Sequence, residues 1–445
     1  MSLLLLALAL VSPASADAPY WEQLDDPGLV QAIDIGVSKN GDVAAAWERV
    51  AASKAMARQA RAPLLPQASV TYSNTVQPNN PGFQFGLSGG LGAPDPDAPD
   101  TTRSGSYGLS ASWDVDMGRS YTALRASTLD ARAAGSDQDA AAMALANRIA
   151  GVWYDLVAVE QRLVIVRKQI EHQERMLEVI EMRFERGEAT GLDVLQQRQQ
   201  VAATRTLLPT LSSSHRVLEQ QLAVLLGQDI GAELPMRPSE LPDVPSLDAT
   251  LPDDLLAGRP DLAAAEERLA AARARKYSAT LSSLPTFRLN GFTGTQFTDF
   301  GEYATRKYWS VGTTASLPLF AGGRVYEGVR AARANELAAK HTLDQAKRNA
   351  DAEVQGAIAR AEEQRNYVAA VQAQRDAATL AHEAARQRYK SGSAAYINLL
   401  SASNAELQAE LSAVAAQRDL LGIHLDLADA RGGAWTHQLG ERAAR

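Results

Sequence analysis

The residues able to do chemistry are few and badly spaced for it. The six histidines, at 172, 215, 341, 382, 424 and 437, form no H-x-H or H-x-x-x-H pair, which argues against a metal centre. The absence of cysteine excludes thiolate sites, disulfides and a lipid-modified N-terminal cysteine. Gly86-Leu-Ser-Gly-Gly90 fits the G-x-S-x-G nucleophile pattern, but that elbow needs a strand before it and a helix after. It sits instead in the Pro/Gly-rich run Gln77 to Asp100, which reads as an exposed loop. No G-x-x-x-x-G-K-[ST] loop is present, so nucleotide does not power the protein by that route. The chain does not read as an enzyme, and no cofactor is expected. Its net charge of −8 disfavours a nucleic-acid partner.

The informative spacing is a repeat. Asn40-Gly-Asp-Val-Ala-Ala-Ala-Trp-Glu-Arg-Val50 reappears as Arg259-Pro-Asp-Leu-Ala-Ala-Ala-Glu-Glu-Arg-Leu269, and Leu65-Pro66 as Leu284-Pro285, all 219 positions on. Gly118-Arg119 maps to Gly323-Arg324, Arg183-Phe184-x-x-Gly187 to Arg388-Tyr389-x-x-Gly392, and Leu192-x-x-Leu195 to Ile397-x-x-Leu400, each 205 positions on. A unit of that size is too long for a solenoid and indicates a duplicated half. The first half carries 14 extra residues between Pro66 and Gly118, where the two offsets change over.

Elements follow from periodicity. Tyr107 to Val115 alternates strictly, with Tyr107, Leu109, Ala111, Trp113 and Val115 on one face. Trp309 to Leu317 repeats the pattern, and 67–74 and 286–293 are weaker partners. The opposite faces are Gly/Ser/Thr rather than Lys/Glu. Aromatic residues (Tyr72, Tyr107, Trp113, Phe292, Trp309, Phe320) read as interface residues of a lipid-out, lumen-in membrane sheet. Four strands cannot close a barrel, and open edges are prohibitive in lipid, so further copies must complete the sheet. The rest is helical. The stretches 119–187 and 324–392 lack proline, and each would extend roughly 100 Å as an unbroken helix. Ile149, Val152, Leu156, Val159, Leu163, Val166 and Ile170 keep coiled-coil spacing. Return helices are expected over 192–226, interrupted at Pro209, and over 397–428.

Domain limits follow. Residues 1–16 read as a secretory signal, with an apolar run to Val11, an Ala14-Ser-Ala16 cleavage site and Asp17 as the mature start. The first repeat spans 17–227, a proline-rich connector 228–252, the second repeat 253–432 and a tail 433–445. Between each long helix and its return helix, a basic residue is followed by Gly187 or Gly392, the pattern of a helix C-terminus turning into a new N-terminus.

Leu255-Leu-Ala-Gly-Arg-Pro-Asp-Leu262, Leu317-Pro-Leu-Phe320-x-x-Gly323-Arg324 and Tyr389-x-x-Gly392 resemble the TolC-like outer-membrane efflux channels, in the branch linked to resistance–nodulation–division pumps. The resemblance implies a mainly α chain with a membrane β-barrel. Four strands per chain would make a 12-stranded barrel in the outer membrane as a homotrimer, continued by a helical tunnel through the periplasm. It implies an inner-membrane pump of that type, and a periplasmic adaptor docking at tips bearing Gly187, Leu192, Leu195, Gly392, Ile397 and Leu400. Asp193 and Tyr389 match a tyrosine–aspartate link that holds the tips closed, with a helix-cap role the alternative for Asp193. The arginine of that lock is Ala394 here. Asn398 and Ser401 stand where some members carry an aspartate ring, and Asp17 where lipidated members carry cysteine. The competing readings are an outer duct for type I protein secretion and a soluble periplasmic coiled-coil adaptor.

Overall fold

The computed structural model describes residues 20–78, 101–244, 258–299 and 303–432. The expected signal segment 1–16, Asp17, Gly86–Gly90 and most of its loop, the second part of the connector and the tail 433–445 lie outside them. The elements run α1 (Pro27–Lys39), α2 (Gly41–Gln59), β1 (Gln67–Pro78), β2 (Thr101–Asp116), α3 (Arg119–Glu185), α4 (Gly191–Arg205), α5 (Leu207–Leu225), α6 (Pro260–Leu281), β3 (Thr286–Asp299), β4 (Tyr303–Ser316), α7 (Arg324–Lys390) and α8 (Tyr396–Arg431). The return helix of the first repeat breaks at Thr206 rather than at Pro209. A proline ring clashes with the carbonyl four residues back, here that of Arg205, the last residue of α4. Two compact units result: one of Ala51–Ala133 and Glu266–Thr342, the other of Met1–Val50, Ala134–Ala265 and Leu343–Arg445.

The first unit holds an antiparallel sheet in the order β1-β2-β3-β4. Each half contributes one hairpin, and the β2–β3 ladder joins the two halves along 14 residues of β3. The register follows side-chain chemistry. Ser69 bonds Ser110 hydroxyl to hydroxyl at 2.8 Å, and Ser73 bonds Ser106 at 3.0 Å, so small polar residues gather on one face. Val70, Tyr72, Tyr107, Leu109, Trp309 and Val311 take the other. That face is bare: Val70 is 83% and Trp309 76% exposed. An apolar sheet face of this extent has no place in water. β1 and β4 are the edges, and neither has an outer partner among the described residues.

The strands run longer than their alternation alone marks, which corrects the aromatic reading. Tyr72, Tyr107, Phe292 and Trp309 fall in mid-strand rather than at the ends. Phe292 also faces the wrong way for lipid. It pairs with Ser110 and Ser310 on the serine face and stacks on Tyr308 with ring centroids 5.0 Å apart. Phe320 follows β4 outside any strand and is almost wholly exposed.

The second unit packs around Trp153, Tyr154, Ile149 and Leu156 of α3, Leu29 and Ile33 of α1, Leu222 of α5 and Leu421 of α8. Buried Asp26 caps α1 by accepting from the Leu29 amide at 3.0 Å, and takes the Trp153 indole N–H at 2.9 Å. The α3 heptad faces inward, with every member buried except half-buried Val152. Among the described residues no helix is long and apolar enough to cross a membrane.

The Arg259-Pro-Asp motif has a structural task here. Buried Arg259 forks onto Asp261 (3.0 and 2.8 Å), reaches Glu353 of α7 at 3.0 Å and donates to the Ala430 carbonyl of α8 at 3.1 Å. Burial pushes Asp261 up, but the guanidinium outweighs it and holds the carboxyl below its usual range. Nearby Asp429 receives less of that help. Burial, opposed by Arg259, pushes its pKa up to about 6, and its Oδ1 has no hydrogen-bond partner. A carboxyl raised in the fold costs nothing below its unfolded pKa, and a growing amount as pH climbs through the folded value. Asp429→Asn should therefore raise the melting temperature above pH 7, by up to about 3 kcal/mol of stability, and change little near pH 4. An equal or lower melting temperature in the variant above pH 7 would contradict this.

Candidate functional site

The two helix-to-helix turns are built alike. Gly187 donates to the Phe184 carbonyl at 2.9 Å while Glu188 donates to that of Arg183 at 2.8 Å. In the second repeat Gly392 donates to Tyr389 at 3.1 Å and Ser393 to Arg388 at 2.9 Å. This is a Schellman closure, and it needs a left-handed residue, met by φ of +75° at Gly187 and +72° at Gly392. The restart differs between repeats. Thr190 caps α4 in a capping box: its hydroxyl accepts from the Asp193 amide at 3.2 Å, and the Asp193 carboxylate accepts from the Thr190 amide at 2.9 Å. Ala395, its counterpart before α8, offers no side-chain cap.

Asp193 and Tyr389, expected to link, are not joined by a hydrogen bond among the described residues. The carboxylate is engaged in the capping box. Tyr389 is buried with Ile180, Val194, Tyr396 and Leu399, edge-on to the Tyr396 ring at 5.7 Å and under the Arg183 guanidinium at 5.1 Å. Burial pushes its hydroxyl pKa up, and Arg183 opposes the shift. Asn398 and Ser401 are exposed on α8. Leu192, Leu195 and Ile397 are also exposed, together with Gly187 and Gly392, whereas Leu400 is partly buried against the tyrosine cluster. Of the aromatic positions, Tyr72, Tyr107, Trp113 and Trp309 share the apolar sheet face. Among the described residues no group of three metal-ligating side chains stands together.

Beside the tyrosine cluster, a polar seam that periodicity did not reveal joins the two hairpins. The Tyr396 hydroxyl donates to Gln197 Oε1, and Gln197 Nε2 donates to the Gln173 carbonyl at 2.6 Å. Gln200 and Asn404 exchange amide hydrogen bonds at 2.5 and 3.1 Å. Gln169 donates to the Ser403 hydroxyl at 2.8 Å. A buried seam on α4 reads Val194, Gln197, Val201, Thr204, coiled-coil spacing with polar residues at alternate positions. The glutamine-rich run Gln196-Gln-Arg-Gln-Gln200 was the available signal, masked because glutamine usually marks an exposed face. Gln200→Ala and Asn404→Ala should each speed amide hydrogen exchange across 396–404. The double variant should add less than the sum, since both remove one reciprocal pair. Additive effects would show that the pair does not act as a unit.

The model of the family described as outer membrane efflux protein matches residues 36–228 and 251–433. The pyoverdine export outer membrane protein OpmQ of Pseudomonas putida is 29% identical over 442 residues, covering 95% of this chain and 89% of that protein. The outer membrane protein OprJ of Pseudomonas aeruginosa is 25% identical, covering 95% and 88%. Among solved structures, the outer-membrane channel OprN superposes with a TM-score of 0.83 at 26% identity, covering 94% of this chain and 93% of that one. The CmeC outer membrane channel of Campylobacter jejuni gives 0.84 over 98% and 94%, at 19% identity, a likeness of fold alone.

Proposed function

Because the chain belongs to the outer membrane efflux protein family and is an outer-membrane channel of an efflux system, we propose that three copies close its sheet into one barrel. The carrying observation is the sheet itself, apolar and bare on one face, serine-lined on the other, with unpaired strands at both edges. Three four-stranded sheets make 12 strands, enough to enclose a lumen rather than a packed core. The bare face then meets outer-membrane lipid, with Tyr72, Tyr107, Trp113 and Trp309 on it, and the serine face lines the duct.

The duct is passive. An inner-membrane pump of the resistance–nodulation–division type supplies energy, and a periplasmic adaptor grips the turns. Leu192, Leu195 and Ile397 provide exposed apolar contacts there, flanked by Gly187 and Gly392. The tips are held shut by the seam of Tyr396, Gln197, Gln200 and Asn404. Each such hydrogen bond contributes only about 1 kcal/mol net, so a docking partner can separate the hairpins without unfolding them. Opening is the parting of α4 from α8 along that seam.

In planar bilayers the wild-type channel should conduct weakly. Tyr396→Phe combined with Gln200→Ala should raise mean conductance several-fold, whereas Tyr389→Phe should change it less. Wild-type conductance from the double variant would remove the seam from the gate. On gels of outer-membrane fractions, the unheated protein should run as a trimer that heating dissociates. A monomer in the soluble periplasmic fraction would overturn the barrel.

A further inference from the structure

A cavity of about 310 Å³ lies beside the seam, walled by α3 and α4 of one hairpin and α7 and α8 of the other. That is the size at which small-molecule sites begin. Its lining divides by chemistry. Met176, Val179, Leu399 and Leu400 form an apolar floor, while Arg175, Arg386 and Lys390 stand around it as a cationic rim beside the His172 and His382 rings. Acidic groups neutralise only part of that rim. Arg175 meets Glu171 at 3.6 Å, and His382 is ion-paired with Glu406. Arg386 and Lys390 have no ion-pair partner among the described residues.

Two further observations point to a ligand. Gln173 lines the cavity with only 4% of its surface exposed, and neither atom of its side-chain amide has a hydrogen-bond partner. A buried amide left unpaired is costly, so both its donor and its acceptor are available to a guest. The charges also crowd one another. Burial, and then Arg175, Lys168 and Arg386, hold the His172 pKa below its usual value. Cations gathered over an apolar floor, with a free amide donor and acceptor at its edge, fit one kind of guest.

The geometry points to a binding site for a small amphiphilic monoanion, a carboxylate or sulfonate carried on an aromatic or short aliphatic body. The body packs on Met176 and Leu399, the anionic head lies between Arg386 and Lys390, and the Gln173 amide supplies a hydrogen bond. Because the walls come from both hairpins, the guest bridges them and favours the closed seam. Binding requires only this unit of the chain, so it is measured independently of whether the protein conducts.

The test is calorimetric titration of the full-length protein in non-ionic detergent with 2-naphthoate. 2-Naphthalenemethanol serves as a neutral probe of the same shape, and inorganic phosphate as an anion without an apolar body. Naphthoate should bind saturably, one per chain, and the alcohol and phosphate should each bind at least about ten-fold more weakly. Arg386→Ala with Lys390→Ala, both exposed positions on α7, should weaken naphthoate by a similar factor and leave the melting temperature unchanged. No saturable binding, equal binding of either contrast compound, or full affinity in the double variant would each overturn the site. If bilayer conductance stays flat while these binding results hold, the site stands and its coupling to the seam falls.

Discussion

Everything in this protein depends on backbone groups that the chain cannot satisfy by itself. β1 and β4 present 12- and 14-residue edges, and the face they border is apolar. In lipid each unpaired amide or carbonyl costs several kcal/mol. A sheet with such edges therefore exists only as part of a closed ring. The requirement reaches into the helical unit. α7 buries only Leu343, Ala350, Val354, Ala357, Ala361, Val371 and Tyr389 along its 67 residues, which leaves most of its surface for the copies that the proposed barrel would bring beside it.

Two kinds of helix contact coexist, and the difference between them is functional. The α3 heptad from Ile149 to Ile170 is aliphatic, and burying such side chains contributes roughly 1.5–3 kcal/mol apiece. Between the hairpin ends a small cluster of Ile180, Val194, Tyr389, Tyr396 and Leu399 is flanked by amide-to-amide and hydroxyl-to-amide contacts, worth about a third of that per bond. A firm body with a more polar end suits the gate proposed at the tips. Arg259 belongs to the firm part. It holds α6, α7 and α8 through Asp261, Glu353 and the Ala430 carbonyl, a reason for the Arg-Pro-Asp triplet that its sequence alone does not disclose.

Much of the fold was legible because it rests on local rules. The glycines after Phe184 and Tyr389 are read directly as helix ends, the repeat offsets pair the two halves, and strict alternation at 107–115 locates β2. The remainder depended on partners distant in sequence. The strand end at Thr101 is fixed by the β1–β2 ladder and that at Asp299 by the β2–β3 ladder, which no local pattern records, and longer strands put Tyr107 and Trp309 in mid-strand. Phe292 is apolar, yet its register seats it on the serine face against Tyr308. Gln197 and Gln200 look like surface residues until α8 is laid beside them. The cap on α4, the alternative that the sequence offered for Asp193, is seen in Thr190-x-x-Asp193, where both cap bonds fall on one carboxylate oxygen.

The most direct test of closure uses the absence of cysteine. Within one chain β1 and β4 lie three strand spacings apart, about 14 Å, beyond the roughly 7 Å Cα reach of a disulfide. Ser310→Cys should be combined in turn with Ser69→Cys, Thr71→Cys and Ser73→Cys, and oxidised in native outer membranes. The account predicts that at least one combination yields a covalent ladder ending at three chains. Failure of every combination to cross-link, or a ladder that stops at two or continues past three, would contradict a barrel closed by three copies.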